Sequence, residues 1–404
     1  MNTYLLCAVS SLFLSVTMVA ADLRLDYRRD ARDLGGDWNM LLEHGDAPVW
    51  EPEAADALGP WQGVTLPGSG LLVPPEDGDR EAFLELRTTL GGLWLRRTFT
   101  LTEVEAGRDA SLAWGGIRFG AAAWVNGTKV ADHPTMGPNT VMLPNGLLRS
   151  GENTIVLRLR GWGGVPVSGS GYPLIPAGGN TQAWGGKNPA VYGDIRLEFF
   201  DDLCLRRMLA MPNIEKGTVS FRFQLDGTAE DAADASLRVE VTQADAAEVV
   251  ASAEERIAGA APGLTGEVVC QLEDPVLWTP DRPHLYSAHA RLEVNGRSCD
   301  EVTFRFGMRE IAVADGHFQL NGKPLRLRGS NLLHEWLWGD KYNDNVVSYL
   351  VDEARAMSLN CFRTHTDPPS TLWADTADEH GIVFLAEMPL LYNHGDFGYT
   401  PEEL

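Results

Sequence analysis

Residues 324–387 read PLRLRGSNLLHEWLWGDKYNDNVVSYLVDEARAMSLNCFRTHTDPPSTLWADTADEHGIVFLAE. Along this stretch the apolar period switches repeatedly between strand and helix. PLRLRG alternates and predicts a strand. In NVVSYLVDEARAMSLN, Val346, Val347, Leu350, Ala354 and Met357 recur at helical spacing, with Asn345 as the candidate N-cap. CFRTH is a short strand. PSTLWADTADEHG predicts a second helix, begun near Ser370 and stopped by Gly381. IVFLAE is apolar without alternation, as expected of a strand covered on both faces. The order strand, helix, strand, helix, strand opens a parallel α/β unit.

Upstream the pattern is all-β. Between Asp22 and about Phe200, TIVLRLRGW places Ile155, Leu157 and Leu159 on one face, and RRTFTL and AAWVNG are similar short runs. Asn-Gly occurs at 126–127, 145–146, 295–296 and 321–322, and this dipeptide favours the positive φ angles of two-residue hairpin turns. A β-sandwich follows from these runs. From 201 to 312, Val219, Phe221, Phe223 and Leu225 alternate, as do Leu237, Val239 and Val241, and Val302, Phe304 and Phe306. Several short strands in about 110 residues predict a second, smaller sandwich of immunoglobulin type. AEVVASAEERIAGAA has helical propensity but is read as strand and loop, because its neighbours are strands. The fold class is therefore multi-domain β plus α/β. A complete (β/α)₈ barrel needs about 250 residues. From Phe318 to Leu404 there are 87, so the last segment is expected to be the start of such a barrel, in a fragment.

Composition narrows the partners. Asp plus Glu is 56 against 33 Lys plus Arg, a formal charge of -23. That field repels phosphate backbones, so no nucleic-acid partner is expected, whereas a neutral ligand such as a carbohydrate is compatible with it. The N-terminus is apolar from Tyr4 to Val19, and Val19-Ala20-Ala21 before Asp22 fits a signal-peptidase site. Residues 1–21 are read as a signal peptide, and the protein as exported, periplasmic or extracellular. The stretch is short for a membrane span, so no stable membrane insertion is expected. Export permits a disulfide, and Cys270 with Cys299 is one possible pair; four separate buried thiols (Cys204, Cys270, Cys299, Cys361) is the other reading. The 12 Trp either stack on sugar rings or fill the sandwich cores.

Ligands of parallel α/β folds bind outside the carboxyl ends of the strands. Polar residues collect there in this sequence. Asn331, His334 and Glu335 follow the first strand, Arg363 and His365 end the second, and Glu387 ends the third. They are read as a substrate-facing rim. The competing reading makes Arg363 and Glu387 a buried structural pair and the histidines loop caps. Glu335 and Glu387 have the residue type of a glycosidase carboxylate pair, but each serves equally well as a salt-bridge partner. No phosphate-binding Gly loop, Cys/His metal cluster or nucleophile-elbow serine occurs, so no cofactor is expected. Asn126-Gly127-Thr128 is a glycosylation sequon that is better explained as a hairpin turn.

GLWLRRTFTL, AAAWVNGTKV, SGENTIVLRL and AVYGDIRLE, then LWTPDRPHLY with VTFRFGMREIAVADGHFQLNGKPLRLRGSN, then NCFRTHTDPPSTLWADTADEHGIVFLAEMPL, together resemble glycoside hydrolase family 2. This group includes β-galactosidases, β-glucuronidases and β-mannosidases. The resemblance implies a sugar-binding-type jelly-roll over 22–200, an immunoglobulin-like sandwich over 201–312, and the first three βα units of a TIM barrel over 313–404. It implies retaining, exo-acting hydrolysis of a β-linked sugar by the full-length protein. In the family the acid/base is the Glu of an Asn-Glu pair after the fourth barrel strand, and the nucleophile is a Glu near the seventh. Neither strand is present, so this chain is expected to hold no catalytic residue and to be inactive alone, with Glu387 in a supporting rim. Two motifs depart from the pattern. Asn-x-His-Glu appears as Asn331-Leu332-Leu333-His334-Glu335, one residue longer, and His365 stands one place early after Arg363-Thr364. The alternative from another class is a non-catalytic carbohydrate-binding β-sandwich protein.

Overall fold

A computed structural model describes residues 29–43, 51–67, 81, 85–86, 89–118, 120–133, 138–161, 189–191, 193–229, 233–244, 246–332, 344–364 and 369–387. The first part of the chain supplies β1 (Ala31–Asp33), β2 (Gly36–Glu43), α1 (Pro52–Ala55), β3 (Gln62–Leu66), β4 (Gly92–Leu101), α2 (Glu103–Ala106), β5 (Asp109–Trp114), β6 (Ala121–Val125), β7 (Thr128–His133), β8 (Asn139–Met142), β9 (Gly151–Arg160) and β10 (Ile195–Phe200). They form two antiparallel sheets, ordered β3-β2-β4-β9-β6-β7 and β1-β10-β5-β8. The alternation in β9 does what its sequence predicts. Ile155, Leu157 and Leu159 are buried in one core with Trp38, Leu95, Leu112, Trp114 and Leu197. The opposite face of the larger sheet is also covered: Val156 joins Leu41, Trp94, Trp124 and Ala55 of α1 in a smaller core. Trp38, Trp94, Trp114 and Trp124 are all fully buried, so these tryptophans fill the sandwich rather than present stacking faces.

The second part supplies β11 (Leu203–Asn213), β12 (Thr218–Gly227), β13 (Ala233–Gln243), β14 (Val249–Ala260), β15 (Thr265–Gln271), β16 (Tyr286–Val294) and β17 (Arg297–Phe306), in sheets β11-β12-β15 and β14-β13-β16-β17. All ten residues picked out by alternation lie in the core between these sheets. The helix-prone Val249–Ala260 is a strand of 12 residues, because β13 offers it a full antiparallel partner. Cys270 and Cys299 are separate buried thiols, as are Cys204 and Cys361, so the possible disulfide is not formed. Burial pushes the Cys204 thiol up to about 12 and that of Cys270 to about 11, which leaves both inert.

Three of the four Asn-Gly pairs take positive φ at both residues and close hairpins: Asn126 (49°), Asn295 (51°) and Asn321 (52°). The fourth does not. At 145–146 only Gly146 has positive φ (74°), and Leu147 N–H closes a turn onto the Pro144 carbonyl at 3.2 Å outside any strand pair.

A small antiparallel sheet of β18 (Ile311–Ala314), β19 (His317–Leu320) and β20 (Lys323–Pro324) leads into β21 (Gly329–Leu332), α3 (Asp344–Ala356), β22 (Cys361–Thr364), α4 (Thr371–His380) and β23 (Val383–Leu385). β21, β22 and β23 pair in parallel. PLRLRG is not one continuous strand. Leu325 N–H still bonds back to the Phe318 carbonyl, and ladder pairing in the parallel sheet begins only at Gly329. The gap is held by buried Asn360, which accepts from Arg328 N–H at 2.8 Å and donates to the Arg326 carbonyl at 3.0 Å. Asn345 lies inside the first turn of α3, which begins at Asp344, rather than capping it. α4 keeps its predicted ends, with Ser370 at the N-cap and Gly381 left-handed (φ 75°) after the last turn.

Candidate functional site

The alternation within the parallel strands decides which side chains meet. Leu332, Phe362 and Ile382 pack on Val347, Val351 and Trp373 of the helices. Cys361 and Val383 point the other way, into a small core with Trp278, Leu285 and Leu320. Continuing outward along that second face, the carboxyl ends present Asn331, Arg363 and Glu387. The first half of the face is therefore covered by apolar residues and the last half is polar and open.

Asn331 and Arg363 are register partners on β21 and β22. Arg363 Nη1 donates to Asn331 Oδ1 at 3.2 Å, and its Nη2 forms an ion pair with Glu387 Oε1. Glu387 lies two residues past β23, and its backbone N–H donates to Thr364 Oγ1 at 3.0 Å. Thr364 is fully buried, so it fixes the turn that brings the carboxylate over the guanidinium. Sequence reading overlooked Thr364; the signal was its place directly after Arg363, where β alternation aims it away from the rim. Asn331 stands within its strand rather than after it, because pairing starts late at Gly329.

Arg363 and Glu387 do pair, as the structural reading required, but they are not buried: their side chains are 41% and 30% exposed. Leu385, opposite Arg363 in register, is 41% exposed on the same side. His334, Glu335 and His365 lie outside the described residues. The three described residues place a fixed cation between an amide and a carboxylate. Donors and acceptors thus alternate across one solvent-facing surface, which matches hydroxyl groups that both donate and accept. Among the described residues the rim holds one carboxylate, whereas retaining glycoside cleavage uses two.

The profile for the "Glycosyl hydrolases family 2" domain matches residues 206–309, and that for "Glycosyl hydrolases family 2, TIM barrel domain" matches 311–396. The chain belongs to glycosyl hydrolase family 2. Among relatives of this family 2 chain, a β-glucuronidase from Paenibacillus borealis is 24% identical over 93% of the chain and 62% of its own length. A β-galactosidase from Thermoanaerobacter pseudethanolicus is 33% identical over 32% of the chain and 18% of its own length. The chain thus spans less than two thirds of each of these relatives. A solved family 2 member from Bacteroides cellulosilyticus superposes with a TM-score of 0.71 at 20% identity, over 88% of this chain and 45% of that one. A β-glucuronidase from Ruminococcus gnavus, solved with D-glucuronic acid, gives 0.66 at 16% identity, over 90% and 60%. These likenesses are of fold.

Proposed function

We propose that this family 2 chain is the supporting and substrate-binding part of a retaining, exo-acting glycosidase for a β-linked sugar, with Asn331, Arg363 and Glu387 contacting the sugar. The reading divides the chain into a signal peptide (1–21) for export, a jelly-roll (22–200), an immunoglobulin-like sandwich (201–312) and the first three βα units of the barrel (313–404). The observation that carries it is the rim itself. Three polar side chains, hydrogen-bonded to one another, share the open face at the carboxyl ends of three parallel strands, where barrel enzymes bind substrate.

In the full-length protein the chemistry needs two further carboxylates. One attacks the anomeric carbon; the other protonates the departing oxygen and then activates water. The 404-residue chain is proposed to lack both and to be inactive alone. Incubation of the purified chain with nitrophenyl β-glucuronide, β-galactoside and β-mannoside should release no nitrophenol above the buffer rate. Turnover abolished by Glu387→Gln would overturn this and make Glu387 a catalytic group.

A further inference from the structure

The four Asn-Gly pairs share one chemical liability, and the structure separates them into two classes. The peptide nitrogen of the glycine can attack Cγ of the preceding asparagine. A new N–Cγ bond forms, that nitrogen loses its proton, and the side-chain amide leaves as ammonia. Water then opens the resulting succinimide to aspartate or isoaspartate. Glycine favours the reaction because it has no side chain to obstruct the ring. The remaining barrier is the freedom of the asparagine side chain to swing onto its own backbone.

Two of the four amides are tied down. Asn126 Nδ2 donates to the Leu147 carbonyl and to Asn153 Oδ1, each at 2.8 Å, while its Oδ1 accepts from Thr154 N–H at 2.9 Å. Asn321 Oδ1 accepts from Glu310 N–H at 2.9 Å, and its Nδ2 donates to the Trp278 carbonyl at 3.0 Å. Asn145 and Asn295 are exposed, and their side-chain amides make no hydrogen bond to any described residue. Asn145 also lies outside any strand pair, so its turn can distort without breaking a ladder.

We propose that Asn145 and Asn295 are sites of spontaneous deamidation in the folded protein, and that Asn126 and Asn321 are protected. The reaction at Asn145 has a local consequence. Asn145 lines a cavity of about 460 Å³ between the two sandwiches, together with Asp109, Asp201, Asp202 and Arg297. Conversion places a fourth carboxylate on that wall, where like charges disfavour one another.

The test is peptide mapping by mass spectrometry of the full chain held folded at mildly alkaline pH, scoring acid and isoaspartate at each site over time. A parallel sample in urea reports the intrinsic rates. Freeing a locked amide breaks two or three hydrogen bonds, so the folded chain should convert Asn145 and Asn295 about tenfold or more faster than Asn126 and Asn321. That gap should close in urea. Conversion of Asn126 or Asn321 at the rate of Asn145 in the folded chain would overturn the proposal. So would a gap that persists unchanged in urea, because the cause would then be sequence rather than structure.

Discussion

Two arginine–carboxylate pairs in this chain have the same chemistry and opposite surroundings. Arg158 Nε and Nη2 meet both oxygens of Glu43 at 2.9 and 2.7 Å, Trp94 Nε1 adds a third bond at 2.9 Å, and the two side chains are 3% and 1% exposed. Removing one member leaves a buried charge unpaired, so Arg158→Ala should cost about 3–5 kcal/mol by urea unfolding. Arg363 and Glu387 pair in the open, and Glu387→Gln should cost only about 0–1 kcal/mol in the same assay. A small cost at the second pair is compatible with the sugar-contacting role proposed for it. Asp300 is a third case. It is buried between the sandwiches, 2.8 Å from Arg29 Nε and accepting from Leu205 N–H at 2.7 Å, with Glu198 and Cys204 nearby. Burial pushes its carboxyl up to about 6 from 3.8, against the pull of Arg29. A raised carboxyl binds its proton more tightly in the folded chain than in the unfolded one. Its contribution to stability therefore grows as pH falls from about 6 toward 4 and is lost as pH rises back through that window. Unfolding free energies of the native chain and Asp300→Asn should diverge across that window and run parallel above it. The partners of Asp300 were not visible in the sequence, because Arg29, Glu198 and Asp300 come from distant segments and meet only where different sheets pack together.

Elements whose ends carry their own chemistry were legible, and those defined by a neighbour were not. α4 begins after Ser370 and stops at Gly381 as predicted; Gly381 acts on the local backbone through its left-handed φ, while Ser370 takes the extended N-cap conformation without a side-chain cap hydrogen bond. PLRLRG alternates like a strand, yet Asn360, just before the next strand, takes the hydrogen bonds of Arg326 and Arg328 and delays the ladder to Gly329. Local alternation holds no record of such a partner. Gly381 also shows how an element joins the rest of the molecule. With φ at 75°, a Cβ there would lie 2.1 Å from the Pro280 carbonyl oxygen. Gly322 has φ at 71° and open space around it. Gly322→Ala should therefore cost about 1 kcal/mol from backbone strain alone. Gly381→Ala should cost roughly 2–3 kcal/mol or more by thermal unfolding, because it must also displace the loop before β16.

At the scale of the whole molecule, the second sandwich meets the parallel unit through the small apolar core of Trp278, Leu285, Leu320, Cys361 and Val383 and through polar contacts to α4. Trp278 Nε1 donates to the Asp378 carbonyl at 2.8 Å, Arg309 reaches the Asp378 carboxylate at 2.8 Å and stacks 4.3 Å from the Trp278 ring, and Arg305 pairs with Glu379. The sandwich rhythm was readable from alternation over about ten residues at a time, but alternation cannot say which strand neighbours which, so the sheet orders had to come from the structure. A net charge of -23 opposes this compact arrangement. Raising ionic strength from about 0.01 to 0.15 M shortens the Debye length from roughly 30 to 8 Å, and the thermal midpoint should rise as the self-repulsion is screened. In the proposed function, the open face of the parallel strands binds a sugar through Arg363. The direct measurement is a calorimetric titration of the 404-residue chain and of Arg363→Ala with glucuronate, galactose and mannose, with circular dichroism confirming equal folding. The native chain should bind at least one of these sugars, and Arg363→Ala should bind it at least about tenfold more weakly, the loss of a charge-assisted hydrogen bond. Binding of equal strength in both, or binding that survives removal of residues 313–404, would contradict it and assign the sugar to the sandwiches instead.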